Sequence, residues 1–249
     1  MPDSTVTFTK YETRGAYHWV ELAHRFPHRY SSRLHAQYGW FVNEARARQP
    51  KLVLDVGCGD AALTHLLAES TGAHVVGIEP EPRGVELARE ALARVGSPVE
   101  VIHGRGEELP FVDGEASLVV MSEVVEHVPV ADPLIEEAAR VLSATGTLLL
   151  STPQWQTDEL REHHFKEYTA EELRTLCGDF FEHVEVFVAE PPRLYERYLS
   201  NPFWRVAVDI SSLLGRNPFT KRLPASPERA GWRELFAIAS QPSRGQGVA

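Results

Sequence analysis

The sequence predicts an α/β fold with a doubly wound, mostly parallel sheet of seven strands. Short apolar runs alternate with stretches of helical periodicity from Lys51 onward. Strands that alternate with helices favour a parallel sheet covered on both faces. A glycine turn follows the first apolar run directly, as at a ligand-binding sheet edge. Two strand patterns come after the last helix of the series, which predicts a terminal antiparallel hairpin.

Each element of this sheet has its own local signal. The run 52–56 is short and apolar, whereas 180–189 alternates between apolar and polar residues. Asp132-Pro133 favours the start of one helix, and Thr169 with Glu172 predicts a capping box at another. The predicted strands are 52–56, 74–80, 99–104, 116–121, 145–153, 180–189 and 233–241. The predicted helices between them are 61–70, 81–96, 132–142 and 169–177.

The chain outside this series divides into three segments. Residues 1–50 are polar and aromatic, with helical spacing from Ser31 to Arg46, and we interpret them as a helical lid or cap. Residues 51–241 form the main domain, with a helical insertion at 191–231 before the last strand. The insertion either packs on the sheet edge or recognises substrate. Residues 242–249 are expected to be a disordered tail.

Charge and composition restrict the class of partner. The net charge of −10 argues against a partner held mainly through phosphates. Glu196 and Asp209 interrupt the basic residues of the insertion, so we expect no membrane partner. Cys58 and Cys177 are the two cysteines, and no signal peptide or apolar span is visible, which predicts a cytoplasmic protein.

The glycine turn predicts a nucleotide-like ligand. Gly57 and Gly59 leave room for a ligand against the backbone, and the next helix points its amides at the same place. With Ala62 they also satisfy a dinucleotide-binding pattern, so a nicotinamide enzyme is one interpretation. Asp55 stands two residues before Gly57 and suits a cationic ligand better than a pyrophosphate. Glu79, at the end of the second strand, suits ribose hydroxyls in either case.

Three motifs together resemble the class I, Rossmann-like S-adenosylmethionine-dependent methyltransferases: DVGCGD at 55–60, GIEP at 77–80 and EELPF…LVV at 107–120. The resemblance covers about 51–189, with 233–241 as the closing strand. It implies that the first motif binds the methionine end of S-adenosylmethionine, that Glu79 binds its ribose, and that Gly106 and Glu107 lie at the edge of its adenine. The cofactor-binding residues that it implies are Asp55, Gly57, Cys58, Gly59, Glu79, Pro80, Gly106, Glu107 and Ser122.

One position departs from the family's pattern. Many relatives have Asp-Ala after the glycine of the third strand, whereas this chain has Arg105-Gly106. A carboxylate for the adenine amine is therefore missing there unless Glu107 supplies it. The alternative is that Glu107 and Glu108 form a solvated turn.

The segment SEVVEHV at 122–128 follows the fourth strand, where the methyl acceptor is expected. His127 is the predicted general base because an imidazole titrates near neutral pH. On a helical turn, Glu123, Glu126 and His127 would share one face and, with His164, hold Mg²⁺ or Mn²⁺. The alternative is that the two glutamates are only a polar helix start.

The pattern Glu-x-x-Glu-His resembles two groups within this superfamily. One comprises the ubiquinone-pathway O-methyltransferases, and the other the metal-dependent RNA 3′-terminal 2′-O-methyltransferases. The acidic charge favours a small-molecule acceptor, most simply methylated at an oxygen of a metabolite or natural product. The alternatives are an RNA end as acceptor and a non-catalytic, cofactor-binding regulatory module. The sequence leaves the oligomeric state open.

Overall fold

A computed structural model describes residues 10–23, 32–155, 159–161, 163–189, 201–214 and 234–243. Its centre is one seven-stranded sheet with the order β3-β2-β1-β4-β5-β7-β6. The strands are β1 Leu52–Val56, β2 His74–Glu79, β3 Glu100–His103, β4 Ala116–Ser122, β5 Leu142–Pro153, β6 Phe181–Ala189 and β7 Glu234–Pro242. The first five are parallel, and β7 runs antiparallel to both β5 and β6. The predicted fold class and its terminal antiparallel hairpin are confirmed.

The described helices match the predicted series and add to it. Those of the alternating series are α4 Ala62–Thr71, α5 Pro82–Val95, α6 Asp132–Val141 and α7 Ala170–Gly178. Those outside it are α1 Lys10–Arg14, α2 Tyr17–Leu22, α3 Ser32–Arg48 and α8 Pro202–Leu213. A proline in the first turn starts α5, and Gly96 ends it with φ 66°. Thr169 and Glu172 make the capping box predicted for α7. None of the helices in these ranges is long and apolar enough to cross a membrane.

Successive side chains of each strand point to opposite faces of the sheet, and helices cover both faces. Val53 and Val120 pack with α3 and α4 in one core, whereas Leu54 and Val119 pack with α6 and α7 in another. This alternation explains why the central strands read as continuous apolar runs. β5 begins at Leu142, three residues before its predicted start, because Leu142 already pairs with Ala116 across an irregular register.

The topology determines where a ligand can bind. β1 lies between β2 and β4, so the chain reverses its direction of winding between β1 and β4. Open α/β sheets bind ligands at the carboxyl ends of the strands at such a point. The loops after β1, β2 and β4 are therefore the structural centre of the candidate site. Of the predicted insertion only 201–214 falls within the described residues, and 244–249 of the predicted tail lie outside them.

Candidate active site

The glycine loop after β1 has a backbone that only small residues fit. Gly57 and Gly59 have φ values of 72° and 59°, in the left-handed region. A Cβ on Gly57 would lie 2.6 Å from Val124, and one on Gly59 would lie 2.5 Å from the Tyr11 hydroxyl. The amide of Gly57 donates to the Ile78 carbonyl at 2.8 Å, which ties this loop to β2. The loop after β4 therefore lies directly against the glycine loop.

Two buried carboxylates flank this loop. Asp55 accepts a hydrogen bond from the Thr64 hydroxyl at 2.7 Å. Glu79 accepts from the amides of Gly59 at 2.8 Å and Glu81 at 3.0 Å. Burial raises the pKa of both carboxyls to about 7, against the hydrogen bonds that lower them. A cation near these groups would favour their ionised forms.

The N-terminal helices cover the glycine loop. The Asp60 carboxylate accepts from the His18 amide at 3.0 Å and lies 3.1 Å from His18 Nδ1. The indole of Trp19 donates to the Asp60 carbonyl at 2.7 Å. Sequence reasoning named Gly57 to Gly59 but missed Asp60, although it ends the same motif. The available signal was an aspartate directly before the predicted helix 61–70, and the structure buries it completely. The lid role of 1–50 stays a prediction.

The segment after β3 also lies at the carboxyl-end edge of the sheet, where the candidate site is. A Cβ on Gly106 would lie 2.6 Å from Val56 Cγ1 and closer still to Leu134, so the Asp-Ala of many relatives has no room for its second residue here. Glu107 is ion-paired with Arg105 at 2.7 Å, so its carboxylate is held at the rim of the site. The exposed Pro80 follows Glu79, and its carbonyl lies 2.9 Å from His103 Nε2.

Glu123 does not lie on the helical turn expected after Ser122, the last residue of β4. It has left-handed backbone, with φ 59°, and only Val125–His127 form a single 3-10 turn. The Glu123 carboxylate is 2.6 Å from the Arg33 guanidinium of α3 and also accepts from Gln37. The predicted shared face of Glu123, Glu126 and His127 is therefore wrong. Sequence reasoning missed Arg33 because nothing local connects it to Glu123.

Glu126, His127 and His164 come together without Glu123. One ligand atom from each lies within 4.8 Å of the other two. Glu126 is completely buried: its Oε2 accepts from the Thr152 hydroxyl at 3.0 Å, while Oε1 has no hydrogen-bond partner among the described residues. Burial and the nearby Glu123 raise the pKa of the Glu126 carboxyl well above its usual range. His127 Nε2 is 4.0 Å from that unpartnered oxygen.

Both imidazoles of this cluster are oriented through Nδ1. His127 Nδ1 lies 2.9 Å from the His163 carbonyl, and His164 Nδ1 lies 3.1 Å from the Glu167 carboxylate. When Nδ1 donates to these oxygens, Nε2 of each neutral ring is left as the basic nitrogen. Burial lowers the pKa of His164, which favours its neutral form. The cluster therefore offers two imidazole nitrogens and one carboxylate oxygen for a proton or a cation.

Comparison with known protein families identifies the domain. A family model described as "Methyltransferase domain" matches residues 54–150, from β1 to β5. Residues 54–150 therefore match a methyltransferase domain. The domain carries the glycine loop, Glu79, Gly106 and the turn with His127. The predicted resemblance to S-adenosylmethionine-dependent methyltransferases is confirmed.

Individual relatives agree with this family. The ubiquinone biosynthesis O-methyltransferase of Azorhizobium caulinodans is 31% identical over 115 residues, which is 45% of each chain. The probable chloroplastic tocopherol O-methyltransferase of Oryza sativa subsp. japonica is 30% identical over 142 residues, 56% of this chain and 39% of that one. The chain thus spans less than half the length of these curated relatives. A solved S-adenosylmethionine-dependent methyltransferase from Aquifex aeolicus has the same fold, with TM-score 0.54 and 22% identity over 64% of this chain and 87% of that one.

Proposed function

We propose that this protein transfers a methyl group from S-adenosylmethionine to a hydroxyl oxygen of a small molecule. The methyltransferase domain and the O-methyltransferases among its relatives support this reaction type. The observation that carries the proposal is the orientation of His127: its Nδ1 lies 2.9 Å from the His163 carbonyl, so that Nε2 serves as base, and Val124 of the same loop lies against Gly57. The donor, when bound, supplies an electrophilic methyl group on a sulfonium centre.

The described residues fit such a donor. Among the described residues, the hydrogen-bond partners of the buried Asp55 and Glu79 carboxylates are a hydroxyl and two amides, and a ligand with ammonium and sulfonium groups supplies positive charge beside them. Gly57 and Gly59 add no side chain to the loop, whose backbone is packed closely against Val124 and the Tyr11 hydroxyl. We assign the methionine end to Asp55, Gly57, Cys58, Gly59 and Ser122. The ribose goes to Glu79, and the adenine to Pro80, Gly106 and Glu107.

Methylation of a hydroxyl requires a group that removes its proton. A neutral hydroxyl that attacks a methyl carbon must lose its proton as the new C–O bond forms and the C–S bond breaks. Nε2 of His127 accepts this proton, and the carboxyl of Glu126, 4.0 Å away, stabilises the imidazolium when it is ionised. The aromatic hydroxyl of a catechol-like ring is the most acidic neutral acceptor of this kind, and therefore the acceptor class we favour.

A second role for the same cluster is to hold a divalent cation. Its fit rests on the unpartnered Oε1 of Glu126 and on Nδ1 of both imidazoles being engaged by oxygen, as is usual for histidine ligands of metals. Glu126, His127 and His164 would hold the ion, which would lower the pKa of the acceptor hydroxyl. Glu123, the fourth residue of the predicted set, is engaged by Arg33. The RNA-end alternative requires Glu123 as well as these three residues, and it stays a prediction.

The test uses the purified full chain, radiolabelled donor and a panel of mono- and dihydroxybenzenes. We expect H127Q to lower kcat by about 10²–10⁴-fold, with the Kd for S-adenosylhomocysteine unchanged. The control is H183Q, since His183 is exposed on β6, away from the loops after β1, β2 and β4. Equal kcat values for H127Q and wild type would contradict the base. Cofactor binding by a wild type that methylates no member of the panel would favour the regulatory module.

Metal binding is measured separately from activity. Mn²⁺ is titrated into the chelator-treated wild type, E126Q and H164Q, and bound Mn²⁺ is followed by electron paramagnetic resonance. If the cluster holds a cation, both variants lose Mn²⁺ binding and chelation abolishes turnover. If His127 acts only as base, turnover survives chelation and the wild type binds no Mn²⁺ at this site.

A further inference from the structure

Helix α8 presents an apolar stripe to solvent. Phe203, Val206, Ile210 and Leu214 recur at the spacing of one helical face, and they are 85%, 55%, 54% and 74% exposed. Trp204, beside the stripe in the first turn, is 42% exposed. Apolar residues that are exposed singly are ordinary, but a stripe of large ones along a helix marks an interaction surface.

The sequence segment that contains this helix differs in charge from the rest of the chain. Residues 191–231 contain seven Lys or Arg and three Asp or Glu, whereas the remainder contains 18 basic and 32 acidic residues. The segment is therefore cationic within a protein whose net charge is −10. Its basic residues are Arg193, Arg197, Arg205, Arg216, Lys221, Arg222 and Arg229.

A cationic segment that exposes an apolar helical stripe, with aromatic residues in the first turn, matches the requirements of an anionic lipid surface. On such a surface, the apolar face of a helix enters the boundary between headgroups and acyl chains, and Lys and Arg side chains pair with the lipid phosphates. We propose that the surface formed by Phe203, Trp204, Val206, Ile210 and Leu214 docks on an anionic bilayer. This reverses the expectation drawn from Glu196 and Asp209, because the structure reveals an exposed stripe that the interrupted charge pattern concealed.

The proposal goes beyond methyl transfer and is independent of it. An acidic protein surface would satisfy the charge but not a continuous row of four large apolar residues. A second copy of this chain would satisfy the row but would bring two cationic segments together. An anionic bilayer satisfies both requirements, the charge and the apolar row.

The experiment is flotation of the full chain with vesicles of phosphatidylcholine alone or with about 30% phosphatidylglycerol. We expect binding to the anionic vesicles, with a partition coefficient reduced at least about tenfold in the F203S/I210S variant. The control is V112S, because Val112 is 69% exposed in a loop of the main domain. A second variant, K221Q/R222Q, should weaken binding to anionic vesicles and reduce its salt dependence.

The opposite outcomes are distinct. Wild-type protein that stays unbound with both vesicle types, or F203S/I210S that floats like wild type, would overturn the proposal. A dimer measured by light scattering that dissociates in F203S/I210S, without vesicle binding by the wild type, would assign the stripe to a second copy. Binding of S-adenosylhomocysteine by F203S/I210S, expected to be unchanged, reports separately on the cofactor site.

Discussion

At the residue scale, Gly106 illustrates how packing determines the local sequence of the site. Its Cα approaches Val56 of β1 and Leu134 of α6 so closely that a methyl group has no space. The constraint is steric rather than conformational, since the backbone of Gly106 is outside the left-handed region. The carboxylate that many relatives have one position earlier is replaced here by Arg105, which pairs with Glu107.

We therefore expect Gly106→Ala to lower the free energy of unfolding by about 1–3 kcal/mol, through displacement of packed side chains. Urea denaturation of the apoprotein measures this loss. The matched control is Gly39→Ala within α3, where a Cβ meets nothing within 4 Å. That change should stabilise the protein by about 0.5–1 kcal/mol, because alanine is the better helix former. Equal effects of the two substitutions would show that Gly106 is not tightly packed.

At the scale of elements, one polar network joins α3 to the ends of three strands. Arg33 contacts Glu123 after β4 and Glu234 at the start of β7, at 2.6 Å and 2.9 Å. Gln37 donates to the same two carboxylates and to the Ser151 hydroxyl of β5. The Arg33 guanidinium lies between the carboxylates of Glu123 and Glu234. Burial and the charge of Glu123 raise the pKa of Glu234 well above its usual range.

Removal of this guanidinium should loosen α3 from the sheet. We expect Arg33→Ala to destabilise the protein by about 1–3 kcal/mol, less than for a wholly buried pair because the Arg33 side chain is 42% exposed. The double variant R33A/E234Q should recover part of the loss, since it removes one of the two facing charges. Chemical denaturation of R33A, E234Q and the double variant measures the recovery. Strictly additive free energies for R33A and E234Q would contradict the coupling between Arg33 and Glu234.

The same network shows which features a single sequence reveals. Strands, helices and the glycine loop were predictable because their signals are local: apolar periodicity, capping residues and the residues directly after a strand. Glu123 was placed wrongly because its partners Arg33 and Glu234 are distant in sequence, and because left-handed backbone is uncommon for a residue other than glycine. The structure brings His164 to Glu126 and His127, yet the orientation of both rings depends on contacts with His163 and Glu167 that a linear pattern does not show.

At the scale of the whole molecule, two carboxyls of the cofactor site make the apoprotein less stable as pH rises. Asp55 and Glu79 have folded-state pKa values of about 7, above the 3.8 and 4.5 usual for their carboxyls. Between about pH 4 and pH 7 the folded protein retains protons that the unfolded chain releases. The unfolded state is then favoured progressively. The stability contribution of these carboxyls is thus complete below about pH 4 and lost above about pH 7.

Asp55→Asn should remove the Asp55 part of this dependence, because an amide resembles the protonated carboxyl and has no proton to release. We expect the apoprotein of D55N to gain about 2–4 kcal/mol relative to wild type as pH rises from 4 to 8. The control is E182Q, since Glu182 is exposed on β6. Unfolding measured across this pH range gives the difference directly, and a difference that is constant with pH would contradict the assignment. The ionised Asp55 that destabilises the empty protein is also the form that attracts a cationic donor, so the affinity of wild type for S-adenosylmethionine should increase through about pH 7, and that of D55N should increase less.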